Sequence, residues 1–384
     1  MTGVTGRPRF RDAHTHLAAG AADLLDLDLR DLDGPEDVPR AIARAACVVA
    51  PGEWIRGWGW DGAVAPEGSA PVHPVFLARR DGHAAWINRA GRAALGLAPD
   101  AAVVGEAAFD AVRRLLPLRS TAERIAALGP RLAALVGHNI VAVDDMVEAW
   151  APEVYARLRD SGELPVSIGL WLPEDMAESE AEAVRREFPG DDPRLAVRGI
   201  KIFLDGTLRA RTAALSSPYA DDPGTDGELR IAEREIPERV ALWAARGWPV
   251  ALHAIGDRAV SLALSALERA PRPRLGAHRI EHVQVVLRSD LPRFARAGVV
   301  ASVQPGHWCD DRPFLAERLG FRPGVLAHPL ASLARSGATM TFGSDWPVSR
   351  WDPAAVLSAA TDRERGDEAL DAAEAAAWYT SGPQ

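Results

Sequence analysis

Two histidines near the start of the chain have the spacing of a metal-binding pair. His14 and His16 lie in the strand-like segment RFRDAHTHL at residues 9–17. Side chains alternate between the faces of a strand, so residues two apart point to the same side. Two imidazoles on one face predict half of a metal site. The motif is weak evidence when isolated, because two hydrogen-bonded histidines in a polar loop are then the commoner explanation.

A lysine lies inside an apolar segment farther along the chain. The segment GIKIFLDG at residues 199–206 predicts a buried strand that runs into an Asp-Gly turn. Lysine is almost never fully buried unless it is paired or chemically altered. Lys201 therefore either extends its amine to an edge of the fold or is a working residue in the interior.

Three further polar residues come near the ends of later apolar segments. These are His253, His282 and Asp345. Each has an ordinary explanation: His253 could cap the following helix, His282 could lie in a polar ladder with Glu281, and Asp345 could be the N-cap of a turn. Together with the two earlier histidines and Lys201 they offer nitrogen and oxygen ligands, and we interpret the set as one metal centre.

The elements that must position these residues alternate regularly between strands and helices. Nearly continuous apolar runs are typical of parallel strands that are buried on both faces. Eight such runs, mostly separated by helical segments, predict an α/β fold, a (β/α)8 TIM barrel. The carboxyl ends of barrel strands meet at one mouth, so the polar residues are predicted to converge there. The predicted strands are residues 9–17, 139–146, 164–172, 197–206, 248–257, 278–286, 299–307 and 338–348.

Residues 18–137 interrupt this alternation. They contain strand-like segments at 54–62 and 74–88 and an amphipathic helical segment at 105–116. We interpret the region as a long insertion after strand 1, folded over the active site as a lid or small subdomain. The predicted organisation is barrel strand 1 at 1–17, the insertion at 18–137, and the rest of the barrel at 138–384.

The composition is that of a large globular protein. The 384 residues are 47% hydrophobic, and the net charge of -9 without a basic groove argues against nucleic acid as a partner. Cys47 and Cys309 are the two cysteines, which implies no disulfide framework and fits a reducing cytoplasm. We find no signal-peptide core at the N-terminus and no apolar run long enough to span a bilayer. The sequence therefore predicts a cytoplasmic protein without membrane association.

In combination, the motifs resemble the amidohydrolase superfamily of metal-dependent hydrolases. The resemblance rests on HTH at 14–16, IKIFLDGTL around Lys201, LHAIGD at 252–257, RIEHVQ at 279–284 and FGSDWPV at 342–348. The most similar branch is the one that contains N-substituted formamide deformylases. Its segments resemble PVFLARRDGHAAWIN, HNIVAVDDM, QPGHWCDDR and the final ALDAAEAAAWYTSG as well.

The resemblance implies a centre of two divalent metal ions. His14 and His16 would hold one ion together with Asp345, while His253 and His282 would hold the other. An uncharged lysine amine can add carbon dioxide, and burial favours that amine, so Lys201 would bridge the ions as a carbamate. Imidazole and carboxylate ligands without thiolate favour zinc, with iron, manganese or cobalt as alternatives.

The reaction that the resemblance implies is hydrolysis of an amide-type carbon–nitrogen bond in a small molecule. Paired ions lie about 3.5–4 Å apart and lower the pKa of the water between them. One ion would polarise the substrate carbonyl. Asp345 would accept the proton of the water and pass it to the leaving nitrogen, acting first as base and then as acid.

Other residues are candidates for the surroundings of this centre. Glu281 and Asp257 each neighbour a ligand histidine and could orient its ring. Strand alternation, however, places Glu281 on the face opposite His282. The predicted substrate contacts are His83, Arg209, Arg211, Gln304, His307, Trp308 and Trp346.

Several alternatives stay open at the level of sequence. The resemblance implies further segments that pair into a β-sandwich, and these are not found in this sequence, so either the protein is a compact variant or the polypeptide is incomplete. In a compact variant, a homo-oligomer is one way to cover the apolar surface of the barrel. A lactone or ester hydrolase would use the same site. A single-metal deaminase needs no lysine on strand four, so Lys201 argues against it. A non-catalytic metal-binding barrel would lack Asp345 or a ligand, and neither is missing.

Overall fold

Apolar strands and amphipathic helices alternate through most of the chain. The computed structural model describes residues 9–30, 32, 34, 36–60, 68–79, 84–117, 119–274 and 276–380. The strands are β1 Phe10–Thr15, β2 Leu27–Asp28, β3 Ile55–Trp60, β4 Val75–Arg79, β5 Ala85–Ile87, β6 Val103–Val104, β7 Ile140–Met146, β8 Ser167–Pro173, β9 Leu195–Phe203, β10 Val250–Ala254, β11 Arg279–His282, β12 Val285–Leu287, β13 Val300–Val303, β14 Val325–Ala327 and β15 Met340–Phe342.

Fourteen α-helices and two short 3-10 helices, Glu233–Glu235 and Arg363–Glu368, lie between and after these strands in the described residues. The α-helices are α1 Leu17–Asp23, α2 Asp37–Ala46, α3 Arg89–Leu95, α4 Glu106–Leu115, α5 Thr121–Gly137, α6 Ala151–Asp160, α7 Glu178–Glu187, α8 Ile236–Ala244, α9 Asp257–Leu267, α10 Leu291–Ala297, α11 Pro305–Leu319, α12 Leu330–Arg335, α13 Pro353–Ala360 and α14 Ala372–Thr380. No helix in the described part of the chain is both long and apolar enough to cross a membrane.

Eight parallel strands form the (β/α)8 barrel that the sequence predicts. Their order in the sheet is β1-β7-β8-β9-β10-β11-β13-β15. A parallel bridge between Thr15 and Trp346 joins the segments after β1 and β15 and closes the ring. The strands are buried on both faces, as in β10, where all five residues are buried. Residues 1–19 and 128–384 form this compact unit.

The last helix helps to hold the closure of the barrel. The Tyr379 side chain of α14 is fully buried, and its ring lies 5.1 Å from Phe10 on β1 and 6.5 Å from Phe342 on β15. Aromatic rings at these distances pack favourably beyond the area that they bury. The first and last barrel strands thus share a packing partner.

Three predicted strands end at least four residues earlier than their apolar patterns indicate. The predicted strand 278–286 is two strands, because His282 and Val283 have φ angles of 76° and 50° that break the pleat. The second part, β12, pairs antiparallel with β14 outside the barrel sheet. The predicted strand 299–307 ends at Val303, since α11 begins at Pro305, and the predicted strand 338–348 ends at Phe342.

Residues 20–127 form a second compact unit around a five-stranded sheet. The strand order is β2-β3-β4-β5-β6, with parallel pairs at the β2 end and antiparallel pairs at the β6 end. One apolar cluster centres on Ile42, Leu77 and Trp86, and another on Phe76 and Phe109. The role of this unit as a lid stays a prediction.

Candidate active site

The first predicted ligand, His14, crosses the interior of the barrel. Its Nδ1 lies 2.6 Å from Oε2 of Glu281 on β11, and β11 is not a neighbour of β1 in the sheet. A carboxylate only accepts hydrogen bonds, so Nδ1 carries the proton and Nε2 carries the lone pair. Both side chains are fully buried. The ring of His16 lies 5.5 Å from that of His14, as the spacing of the pair predicts.

His253 and His282 meet at the ends of β10 and β11. Their ring centroids are 4.5 Å apart, and that of His282 is 4.8 Å from that of His14. His253 Nε2 lies 3.1 Å from the carbonyl oxygen of Gly206, and His282 Nδ1 lies 2.8 Å from Oε1 of Gln304. Each of these nitrogens therefore donates, which leaves the lone pair on His253 Nδ1 and on His282 Nε2. Burial, together with the two neighbouring histidines, holds the pKa of His282 well below its usual value.

Asp345 follows β15 in a left-handed backbone conformation, with φ of 57°. Its N–H donates to the carbonyl oxygen of His14 at 2.7 Å. Gly343 permits this approach, because a Cβ there would lie 2.6 Å from the His14 nitrogen. Asp345 Oδ1 lies 3.3 Å from His14 Nε2 and 3.4 Å from His16 Nε2, and Oδ2 lies 3.3 Å from His307 Nε2. Burial opposes ionisation, but these three rings hold the pKa of Asp345 well below its usual value.

Lys201 is the only lysine of the chain, and it is buried in the barrel. Its Nζ has no hydrogen-bond partner among the described residues and lies 4.8 Å from the centroid of the Phe203 ring. Burial lowers the pKa of Lys201 to about 8, although the charges of Glu281 and Asp345 act in the opposite direction. At that pKa about a tenth of the amine is uncharged at pH 7, far more than for an ordinary exposed lysine.

The donor atoms of these residues fit a divalent metal ion. One ligand atom from each of His14, His282 and Asp345 lies within 4.8 Å of the other two. Within the described residues, His14 Nε2 and Asp345 Oδ1 are buried without a hydrogen bond, as is the Lys201 amine. A buried polar group left unpaired costs about 1–3 kcal/mol, which a bound cation would offset for the histidine and the carboxylate. Imidazole and carboxylate together are zinc-type ligands.

Comparison with known families identifies the chain. A family model for amidohydrolases matches residues 5–384. This protein belongs to the amidohydrolase family. It is therefore a hydrolase, and the metal-binding donor set lies where a barrel enzyme builds its active site.

Individual relatives of this amidohydrolase span most of its length. It is 27% identical to the protein LONG AFTER FAR-RED 3 of Arabidopsis thaliana, over 93% of this chain and 68% of that protein. It is 26% identical to the N-substituted formamide deformylase of Arthrobacter pascens, over 100% of this chain and 79% of that protein. The solved structure of an uncharacterized metal-dependent hydrolase from Pyrococcus horikoshii OT3 is similar with a TM-score of 0.80 and 27% identity, over 97% of this chain and 79% of that one.

Glu281 lies on the same side of the amidohydrolase barrel as His282, in contrast to the prediction from strand alternation. Its carboxylate contacts His14, and the His282 ring is 4.8 Å from the same histidine. The left-handed φ at His282 ends the pleat and turns its ring toward the mouth. Arg279, which the sequence analysis missed, donates to both oxygens of Glu281 at 2.7 and 3.1 Å and to Asp144 at 2.6 Å. Burial opposes ionisation of Glu281, but Arg279, His14 and Lys201 hold its pKa well below its usual value.

Asp257 has a different neighbour from the one predicted. Its carboxylate accepts hydrogen bonds from the backbone and the hydroxyl of Ser216, so it holds the loop after β9. The carboxylate nearer to His253 is Asp205, whose Oδ1 lies 3.6 Å from His253 Nε2. Asp205 also accepts the N–H groups of Ala214, Ile255 and Gly256. Its only sequence signal is the Asp-Gly turn that follows the Lys201 strand.

Two of the predicted substrate contacts lie beside the ligand set. Gln304 accepts the hydrogen bond of His282, which places it behind a ligand ring. His307 lies on the first turn of α11, with its ring stacked 5.6 Å from that of His282 at an angle of 14°. Its Nε2 faces Asp345 Oδ2. Burial lowers the pKa of His307, but the carboxylates of Asp345, Asp311 and Asp310 together raise it above its usual value.

The other predicted substrate contacts that the structure describes have partners of their own. Arg211 forms an ion pair with Asp221 at 2.8 Å, and Arg209 donates to the carbonyl oxygen of Asp310 at 3.0 Å. The Trp308 ring lies 5.9 Å from that of His328, under the guanidinium of Arg365. Trp346 stacks on Trp351 at 4.6 Å, and its carbonyl oxygen accepts the N–H of His16. His83 lies outside the described residues.

Proposed function

We propose that this protein hydrolyses an amide-type carbon–nitrogen bond in a small molecule with two divalent metal ions, zinc foremost. His14, His16 and Asp345 would hold one ion, and His253 and His282 the other. Lys201 would bridge the two as a carbamate. A cytoplasmic location, a homo-oligomeric state and the absence of nucleic-acid binding stay predictions of the sequence.

One observation carries this proposal: buried polar atoms without hydrogen bonds are contributed to the barrel interior by different strands. They are His14 Nε2 on β1, Lys201 Nζ on β9 and Asp345 Oδ1 after β15, each without a hydrogen bond within the described residues. A structural role would pair such groups, since burial without a partner is costly. The name of the relative from Arthrobacter pascens, an N-substituted formamide deformylase, supports an amide-type substrate.

The carbamate at Lys201 is proposed from the surroundings of its amine. The Nζ atom is buried beside the Phe203 ring, and no hydrogen-bond acceptor among the described residues is there to stabilise an ammonium ion. The neutral amine attacks the carbon of carbon dioxide: the C–N bond forms as one C=O π bond breaks, its electron pair passes to oxygen, and one N–H proton leaves to solvent. The product is an anion with two oxygen donors in place of an unpaired amine, and it would supply negative charge to bound cations.

Asp345 is the proposed general base and acid. Divalent ions bound here would polarise the substrate carbonyl and lower the pKa of water. Asp345 stays ionised at neutral pH because His14, His16 and His307 surround it, so it can accept a proton. Its oxygens face two sides, Oδ1 toward His14 and His16 and Oδ2 toward His307. A proton accepted at one oxygen can thus be returned to the leaving nitrogen.

The first experiment examines the metal and the lysine. Metal analysis of the purified protein should give two equivalents of a divalent ion. Protein equilibrated with 13C-labelled bicarbonate should give a carbamate carbon resonance that Lys201→Met abolishes. The assignment is simple because the chain has no other lysine. The α-amino group can also form a carbamate, but it is present in both proteins and does not account for a difference between them. A metal-free wild type, or a resonance that persists in the variant, would contradict the proposal.

The second experiment decides the bond that is cut. A panel of N-substituted formamides is assayed beside formate esters and lactones of matched size. We expect hydrolysis of the amides, with Asp345→Asn inactive. Cleavage of the esters alone would replace the amide assignment by the ester alternative, and a single metal equivalent with release of ammonia would favour the deaminase.

A further inference from the structure

A second group of buried polar side chains lies one helical turn beyond His307 along α11. Asp311, Gln284 and His328 are 7%, 4% and 5% exposed. Asp311 Oδ2 accepts a hydrogen bond from the side-chain amide of Gln284 and lies 3.1 Å from His328 Nε2. The backbone N–H of His328 donates to the carbonyl oxygen of Gln284 at 2.6 Å. The three residues therefore form a closed ring of contacts, which we call the Asp311 cluster.

The cluster is connected to the site through α11. Asp311 follows His307 by four residues, so both side chains lie on one face of the helix. His307 stacks on His282 at 5.6 Å and faces Asp345 Oδ2 at 3.3 Å. The helix turn that presents His307 is thus anchored one turn later by Asp311.

The cluster is also connected to the site through the strand that carries His282. Gln284 follows His282 by two residues, and the intervening Val283 has φ of 50°. A left-handed conformation is unfavourable for a β-branched residue and costs on the order of 1–3 kcal/mol. His328, with φ of 47°, is in the same region. Such conformations persist where the surrounding contacts hold them, and the Asp311 cluster supplies contacts of that kind.

We propose that Asp311 is a positioning residue that holds His282 and His307 against each other by joining α11 to the segment after β11. The proposal rests on the proposed function, which places both histidines at the reaction centre. One carboxylate oxygen serves two buried donors from two different segments. Its removal leaves both donors without their acceptor and frees α11 to shift relative to His282.

Kinetics test this role with a matched control. Asp311→Ala should lower kcat on N-substituted formamides by about 10- to 100-fold with a smaller change in KM, since a misplacement of about 1 Å costs that much. Asp311→Asn keeps an oxygen acceptor and should recover most of kcat. Asp310→Ala, the neighbour whose carboxylate contacts Ser349 instead, should stay close to wild type. With His307→Ala added, the combined loss should be smaller than the product of the single losses.

Crystal structures distinguish failure of this proposal from failure of the proposed function. In Asp311→Ala, the separation of the His282 and His307 rings should change from 5.6 Å by about 1 Å. An unchanged separation would overturn the positioning role, whether or not the wild type hydrolyses amides. If the separation changes in Asp311→Ala while the wild type is inactive on every probe, the positioning role is supported and the proposed function is overturned.

A second variant covers the case in which Asp311→Ala does not fold. His328→Phe keeps a ring of similar size and the backbone N–H to Gln284, and it removes only the donor to Asp311. We expect a decrease in kcat of the same kind, smaller than that of Asp311→Ala. Wild-type kcat together with an unchanged separation of the His282 and His307 rings would overturn the proposal.

Discussion

The two halves of the candidate metal site differ in charge. The half formed after β1 and β15 contains the Asp345 carboxylate, and its His14 is backed by a second carboxylate, Glu281, at 2.6 Å. The half formed by β10 and β11 contains two imidazoles. His253 donates to the backbone carbonyl of Gly206, with the Asp205 carboxylate beyond hydrogen-bond distance at 3.6 Å, and His282 donates to the side-chain amide of Gln304. One half therefore brings anionic groups to a cation, and the other brings neutral donors.

Under the proposed function, Lys201 would compensate for this difference. A divalent cation held by neutral imidazoles alone lacks compensating charge in a buried site. Lys201 becomes an anion on addition of carbon dioxide, and it would supply that charge to the second half. The comparison thus predicts that metal binding in the first half depends on carboxylates, and in the second half on the chemical state of Lys201.

The largest effect is expected from Asp345, where ligand and base coincide. Asp345→Asn keeps the size of the side chain but removes its charge and its capacity to take the proton. We expect kcat/KM on N-substituted formamides to fall by about 10²- to 10⁴-fold. Asp352→Asn, the same change at the N-cap of α13, should leave the rate unchanged. Wild-type activity in Asp345→Asn would remove the basis for the proposed base.

A substitution at Lys201 tests the difference between the two halves most directly. In Lys201→Met we expect a chelator to remove one equivalent of zinc at a chelator concentration more than about 100-fold lower than the wild type requires. This effect is larger than that of removing a residue that only orients a ligand. Wild type prepared without carbon dioxide should behave like the variant. Two equivalents retained with wild-type affinity would show that the second half needs no bridging anion.

Glu281 tests the first half without touching a ligand atom. Glu281→Gln keeps an acceptor for His14 Nδ1 but removes the negative charge behind the ring. We expect zinc affinity of one equivalent to fall by about 10- to 100-fold in a competition titration. Glu268→Gln, in the surface ion pair with Arg293, is the matched control and should bind zinc like wild type. Equal affinity for Glu281→Gln and wild type would contradict the carboxylate dependence of this half.

Gln304 should show the smallest effect. Gln304→Met removes a neutral acceptor from His282, and a hydrogen bond between neutral groups contributes about 1 kcal/mol. We expect zinc affinity to fall by less than about 10-fold in the same titration. A loss as large as that of Glu281→Gln would mean that the charge behind the ring is unimportant, and the comparison between the two halves would fail.

The candidate ligand residues could be singled out from the sequence because their signals are local. His14 and His16 are two residues apart, and Lys201 interrupts an apolar strand, so residue type and spacing suffice to single them out. The barrel could be predicted for a similar reason, since parallel strands buried on both faces are nearly continuously apolar. The strand ends could not, because His282 and Val283 leave the pleat at left-handed φ angles that an apolar pattern does not reveal.

The sequence by itself therefore determined the fold class, the amidohydrolase resemblance and the residues that could bind metal. Only the tertiary structure decided which nitrogen of His14, His253 and His282 carries the lone pair, because Glu281, Gly206 and Gln304 reach those rings from other segments of the chain. It also decided that Arg279 and Asp311 belong to the surroundings of the site. Contacts between residues far apart in the chain leave no periodic signal, since they depend on how the strands close into a barrel rather than on local spacing.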